Sequence, residues 1–116
     1  MKPFDSIEYN KLCAEFLGWN FSIHGVYKDE LTRYKKEELK FDSDYNWIME
    51  VIEKIEQTYV TDSYSRLNDD DKHEFNIWNK TTTEICGRGD TKKEAVVQAI
   101  WEFLNWYNEQ SKTINK

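Results

Sequence analysis

The densest run of potential metal ligands in this 116-residue chain is Asn68-Asp69-Asp70-Asp71-Lys72-His73-Glu74. Mg2+ and Ca2+ need oxygen ligands that converge on one point, and a calcium loop supplies them at fixed alternate positions. Consecutive aspartates diverge and the spacing here is not that of such a loop, so the run reads as a solvated turn before a strand, and neither a metal nor another cofactor is expected. Gly87-Arg88-Gly89-Asp90-Thr91 lies between a strand pattern and a helix pattern, where exposed N–H groups and the helix dipole favour an anion, with Arg88, Lys92 and Lys93 adding charge. The glycines lack the full dinucleotide fingerprint, and a tight strand-to-helix turn accounts for them as well. His24 and His73 are distant in sequence, and neither accompanies a Ser or Cys nucleophile motif. No acid, base and nucleophile converge, so the chain reads as non-enzymatic.

What remains is binding chemistry. Arg33-Tyr34-Lys35-Lys36, with Lys40, interleaves cations with an aromatic ring as RNA-contacting segments do, although a solvated face with one packed tyrosine has the same composition. The cluster is a local exception in an acidic chain of formal net charge -6, a balance that disfavours non-specific wrapping of nucleic acid and suits basic partners. Arg33, Tyr34, Lys35 and Lys36, joined by Trp101, are the candidate partner-binding residues, because Arg and large aromatics are the usual interface anchors.

Three amphipathic helices must position these groups. Thr91-Lys92-Lys93-Glu94 has the form of a capping box, and Val96, Ala99, Ile100, Phe103 and Tyr107 then recur on one face, predicting a helix to about Asn108 with Trp101 and Leu104 at the stripe's edge. Ser43 or Asp44 caps a second helix that turns Trp47, Ile48, Val51, Ile52 and Ile55 inward and Glu50, Glu53 and Lys54 outward. Asp5-Ser6 opens an earlier one carrying Tyr9, Leu12, Cys13, Phe16 and Leu17 inward, with Gly18 as its left-handed exit and Trp19 folding back onto it. Phe75 and Ile77, then Thr83 and Ile85 beyond Asn79-Lys80, alternate as two strands joined by a turn, and Tyr59 and Val60 begin another. Residues 20–40 fit neither template and read as a packed connection. The fold class is therefore α+β, with three helices packed on a small antiparallel sheet, in a single domain over residues 1–116. Cys13 and Cys86 read as reduced, buried thiols, since neither has a partner at metal-ligand spacing. No apolar run approaches the roughly 20 residues of a membrane span and the N-terminus has no signal-like stretch, so a cytoplasmic protein is expected.

Three segments together resemble one family: Ala14-Glu15-Phe16-Leu17-Gly18-Trp19; the stretch from Leu39 through Lys40-Phe41-Asp42 to Ile55; and Thr91-Lys92-Lys93-Glu94-Ala95-Val96 leading to Trp106-Tyr107-Asn108. In that order they resemble the phage ABA sandwich domain, found in small phage and prophage proteins of Bacteroidetes-type hosts. The resemblance implies a small sheet with helices on it, in a viral protein acting in the host cytoplasm. It brings no catalytic residue, because the shared positions are packing residues. On that basis the expected function is a phage or prophage accessory protein that binds a host protein or ribonucleoprotein stoichiometrically. An anti-CRISPR-like inhibitor of a nucleic-acid-targeting defence complex is one form of it. The alternatives are a small RNA-binding module and a replication or structural accessory.

Overall fold

Asp5 starts helix α1 (Ser6–Phe16) by accepting hydrogen bonds from the backbone N–H groups of Ile7 and Glu8 at 3.0 and 3.2 Å, which satisfies donors that have no partner within the helix. The structure is a computed structural model that describes residues 3–59, 62–67, 72–78 and 85–114, and its chain divides into two compact units, Met1–Val51 and Ile52–Lys116. In the first unit α1 buries Tyr9, Asn10, Cys13 and Ala14 and ends before Gly18, whose φ of 85° gives the left-handed exit.

Residues 20–40, expected to be a packed connection, instead form a meander of strands β1 (Asn20–Ser22), β2 (Gly25–Tyr27) and β3 (Arg33–Tyr34), followed by a 3-10 turn over Lys36–Glu38. Strands of two or three residues are too short to show a period of two, which is why the sequence pattern missed them. The turns that join them carry clearer chemistry. Ser22 Oγ accepts from His24 N at 3.0 Å, and the Asp29 carboxylate accepts from Leu31 N and Thr32 N at 2.8 Å each; those two bonds hold its pKa below the usual carboxylate range.

Asn10 ties this unit together. Its Oδ1 accepts from Phe41 N at 2.8 Å, and its Nδ2 donates to Ser6 O at 3.0 Å and Asp42 Oδ1 at 3.4 Å. Asn10→Ala is expected to lower stability by about 1–3 kcal/mol in a denaturant melt, since it strands a buried backbone donor. Helix α2 (Tyr45–Tyr59) follows, with Asp44 Oδ1 accepting from Asn46 N at 2.8 Å as the cap expected there. Tyr59, expected to begin a strand, is the last residue of α2, and the strand starts later; Val60 lies outside the described residues.

The second unit contains an antiparallel sheet, β4 (Asp62–Leu67), β5 (His73–Trp78) and β6 (Ile85–Gly89), in that order, with α3 (Lys92–Ile114) packed on β5 and β6. The α+β class holds, and among the described residues the strands form two three-stranded antiparallel sheets rather than one. The expected pair around Ile77 and Ile85 is present in register, while Thr83 and the Asn79-Lys80 turn lie outside the described residues. Gly87 faces α3 so closely that a Cβ there would stand 2.2 Å from Ala95 O and from Ala99 N. Its register partner Phe75 shares that face, as does Ile77 two residues on. Among the described residues no helix is long and apolar enough to cross a membrane.

Neither cysteine forms a disulfide, Cys13 being buried and Cys86 half-buried. Burial pushes the Cys13 thiol well above its ordinary range and does the same to the neighbouring Tyr9 hydroxyl. Both groups stay neutral in the folded state after their unfolded counterparts begin to ionise. Their contribution is therefore complete below about pH 8.5 and falls as pH rises beyond it, by up to about 1.4 kcal/mol per pH unit for each group. Urea midpoints should drop between pH 9 and about 11, and Cys13→Ala should remove the thiol's share of that slope.

Candidate functional site

Four aromatic residues from separate segments of the first unit meet. Trp19 follows the α1 exit, Tyr34 lies on β3, Phe41 precedes α2 and Trp47 lies in its first turn. Trp19 and Tyr34 stack at 5.8 Å with planes 16° apart. Trp47 meets Tyr34 at 4.9 Å, Phe41 at 5.0 Å and Trp19 at 5.7 Å, edge-on in each case. Trp19 also tilts against Phe41 at 5.3 Å. Phe41 is fully buried and forms the floor, while Trp19, Tyr34 and Trp47 are half-buried. Offset and edge-to-face pairs of this kind are worth about 0.5–1.5 kcal/mol each beyond the area they bury, so the cluster is a rigid surface.

Charges surround it. The Lys28 ammonium stands 5.7 Å over the Trp19 ring and 3.6 Å from Glu50 Oε1, a cation–π contact anchored by an ion pair. Arg33, Lys35, Lys36 and Lys40 are all exposed. Gly25, at φ 135°, allows the β3 backbone to close in, since a Cβ there would lie 2.7 Å from Tyr34 O. Lys35 N donates to Glu38 Oε1 at 2.7 Å, which uses one of the acidic side chains of this segment internally. The structure thus brings Arg33, Tyr34, Lys35 and Lys36 into one continuous segment beside the aromatic cluster.

Trp101 does not join them. It is only 1% exposed and belongs to the core of the second unit, together with Ile100, Phe103 and Leu104, so its expected role as a surface anchor is corrected to packing. Trp19, Phe41, Trp47 and Lys28 are the members of the site that sequence reasoning left out. Trp19, expected to fold back onto the first helix, and Trp47, expected on the inward stripe of the second, read as core residues, and no pattern in the sequence signals that they meet.

The other sequence candidates resolve into structure. At the glycine turn, Thr91 Oγ1 accepts from Glu94 N at 3.1 Å and the Glu94 carboxylate accepts from Asp90 N at 2.9 Å, so the helix start is supplied with acceptors and a negative charge from its own chain. Arg88 lies on the sheet face away from α3. There its Nε is 3.3 Å from Glu74 Oε2, and Arg66 Nε reaches Glu74 Oε1 at 2.9 Å. The Glu74 side chain is 5% exposed and the arginines 63% and 70%, so two guanidinium groups shield and neutralise a nearly buried carboxylate. Residues 68–71 of the aspartate run lie outside the described residues; Lys72, beside them, pairs with Asp90. Among the described residues no three His, Cys, Asp or Glu side chains gather as a metal site.

No protein-family model matches the chain, and no curated protein matches it. A solved structure does: the 2.0 Å crystal structure of a phage protein from Bacillus cereus superposes with a TM-score of 0.62 at 15% identity, covering 90% of this chain and 92% of that one. The two proteins share a fold.

Proposed function

We propose that this is a phage or prophage accessory protein that acts by binding a macromolecular partner stoichiometrically, through the aromatic and basic face of its first unit. The observation that carries the reading is the half-buried Trp19–Tyr34–Trp47 cluster bordered by the exposed Arg33, Lys35 and Lys36, which combines the residue types that dominate interface energetics. The fold shared with a phage protein supports the phage setting, as does the resemblance of the packing motifs to the phage ABA sandwich domain. In that setting the partner is a host protein or ribonucleoprotein, with a nucleic-acid-targeting defence complex as the target of an anti-CRISPR-like inhibitor.

A pull-down from host lysate tests this, run at low and moderate salt with half of each sample treated with nuclease. A near-equimolar partner that survives nuclease is expected. The double variant Arg33→Ala, Lys36→Ala should bind it about tenfold or more weakly, a loss of roughly 1.4 kcal/mol, with an unchanged melt because both side chains are exposed. Full binding by that variant, or effects persisting through many turnovers per molecule, would overturn the reading. A partner released by nuclease would point instead to the RNA-binding alternative.

A further inference from the structure

The geometry of the aromatic cluster narrows the chemistry of the partner, and we infer that this face takes an acidic protein segment rather than single-stranded nucleic acid. The inference rests on the reading above that this face is the binding surface.

Sequence-tolerant binding of single strands depends on aromatic faces open to bases, on which successive bases stack. Here the rings are spent on one another. Trp19 has Tyr34 stacked along it, the Lys28 ammonium over it, and Phe41 and Trp47 against it. Tyr34 is held between Trp19 and Trp47, and Trp47 touches all three other rings. A base arriving at Trp19 has to displace either a stacked tyrosine or a lysine that Glu50 also holds. Faces occupied in this way leave little for a base to stack on, and the exposed cations beside them, Arg33, Lys35 and Lys36, favour carboxylates.

Charge spacing agrees. Phosphate tracking needs a run of cations unbroken by anions, because each phosphate contact exchanges for a released counterion. In residues 28–40 the run Arg33, Lys35 and Lys36 is bounded by Asp29 and Glu30 on one side and by Glu37 and Glu38 on the other, which also separate it from Lys28 and Lys40. Such a mixed strip repels a uniformly charged backbone at several points. A peptide that places its carboxylates opposite Arg33, Lys35 and Lys36 and keeps neutral residues elsewhere meets the same strip without repulsion, and Arg33 can hold a carboxylate by two parallel hydrogen bonds.

The test is fluorescence anisotropy with the full chain against two labelled probes at one ionic strength, a short peptide with a central cluster of Glu residues and neutral residues elsewhere, and an oligouridylate of matching length. The peptide is expected to bind at least about tenfold more tightly, and Arg33→Ala with Lys36→Ala should abolish its advantage. Equal or tighter binding of the oligouridylate overturns the inference, as does failure of both probes to bind. The pull-down separates these failures from failure of the binding reading: if the double variant still loses its cellular partner there, the face is the interface and only its assigned chemistry is wrong.

Discussion

Gly87→Ala is expected to lower stability by about 3 kcal/mol or more, measured as the shift of the denaturant midpoint at constant slope. The added methyl would stand 2.2 Å from Ala95 O, 2.2 Å from Ala99 N and 2.8 Å from Ala99 Cα. All three are backbone atoms, so no side-chain rotamer can move aside and α3 itself has to lift from β6. Lifting the helix loosens the neighbouring contacts of Phe75, Val96 and Ile100, all buried, and a domain of ordinary stability has only about 5–15 kcal/mol in total to lose. A loss below about 1 kcal/mol would mean that helix and strand do not approach so closely. Thr91→Ala provides the contrast, costing about 1 kcal/mol through a single cap.

This position shows why part of the site was readable in sequence and part was not. A strand–Gly-x-Gly–helix arrangement is compatible with phosphate binding and with close packing, and the sequence alone does not separate the two. The structure does, because Ala95 and Ala99 sit one helical turn apart opposite Gly87, and Glu94 fills the helix start. The three helices were legible because ten or more residues with a 3.6-residue period leave a strong signal. The first-unit meander was not, since Asn20–Ser22, Gly25–Tyr27 and Arg33–Tyr34 are each shorter than the run of roughly four residues in which alternation becomes recognisable. Arg33 to Lys36 stood out by composition. Their setting beside Trp19, Phe41 and Trp47 depends on contacts between segments far apart in the chain, and Asn10, which bonds across 31 residues to place Phe41, carries no sequence signal of that task.

Trp101→Ala is expected to be about as damaging as any single truncation in the second unit, costing roughly 3–5 kcal/mol. Periodicity placed Trp101 at the margin of the α3 stripe, but Val97, Trp101 and Leu104 form a second buried row beside Val96, Ala99, Ile100 and Phe103. The helix is thus buried over a wider arc than one stripe, and Trp101, one of its two tryptophans, lies inside that arc. Removing an indole from a site 1% exposed loses its transfer energy and leaves a cavity that neighbours fill only in part. Trp101→Phe, which keeps most of the apolar volume, should recover more than half of the loss. The measurement also separates packing from recognition. If Trp101 acts only through the core, partner binding by Trp101→Ala should fall in proportion to the fraction unfolded and return on cooling or in a stabilising osmolyte. Arg33→Ala should instead weaken binding at every temperature with its melt unchanged. A Trp101→Ala protein that melts like the parent but loses its partner would return this residue to the surface and reverse the assignment.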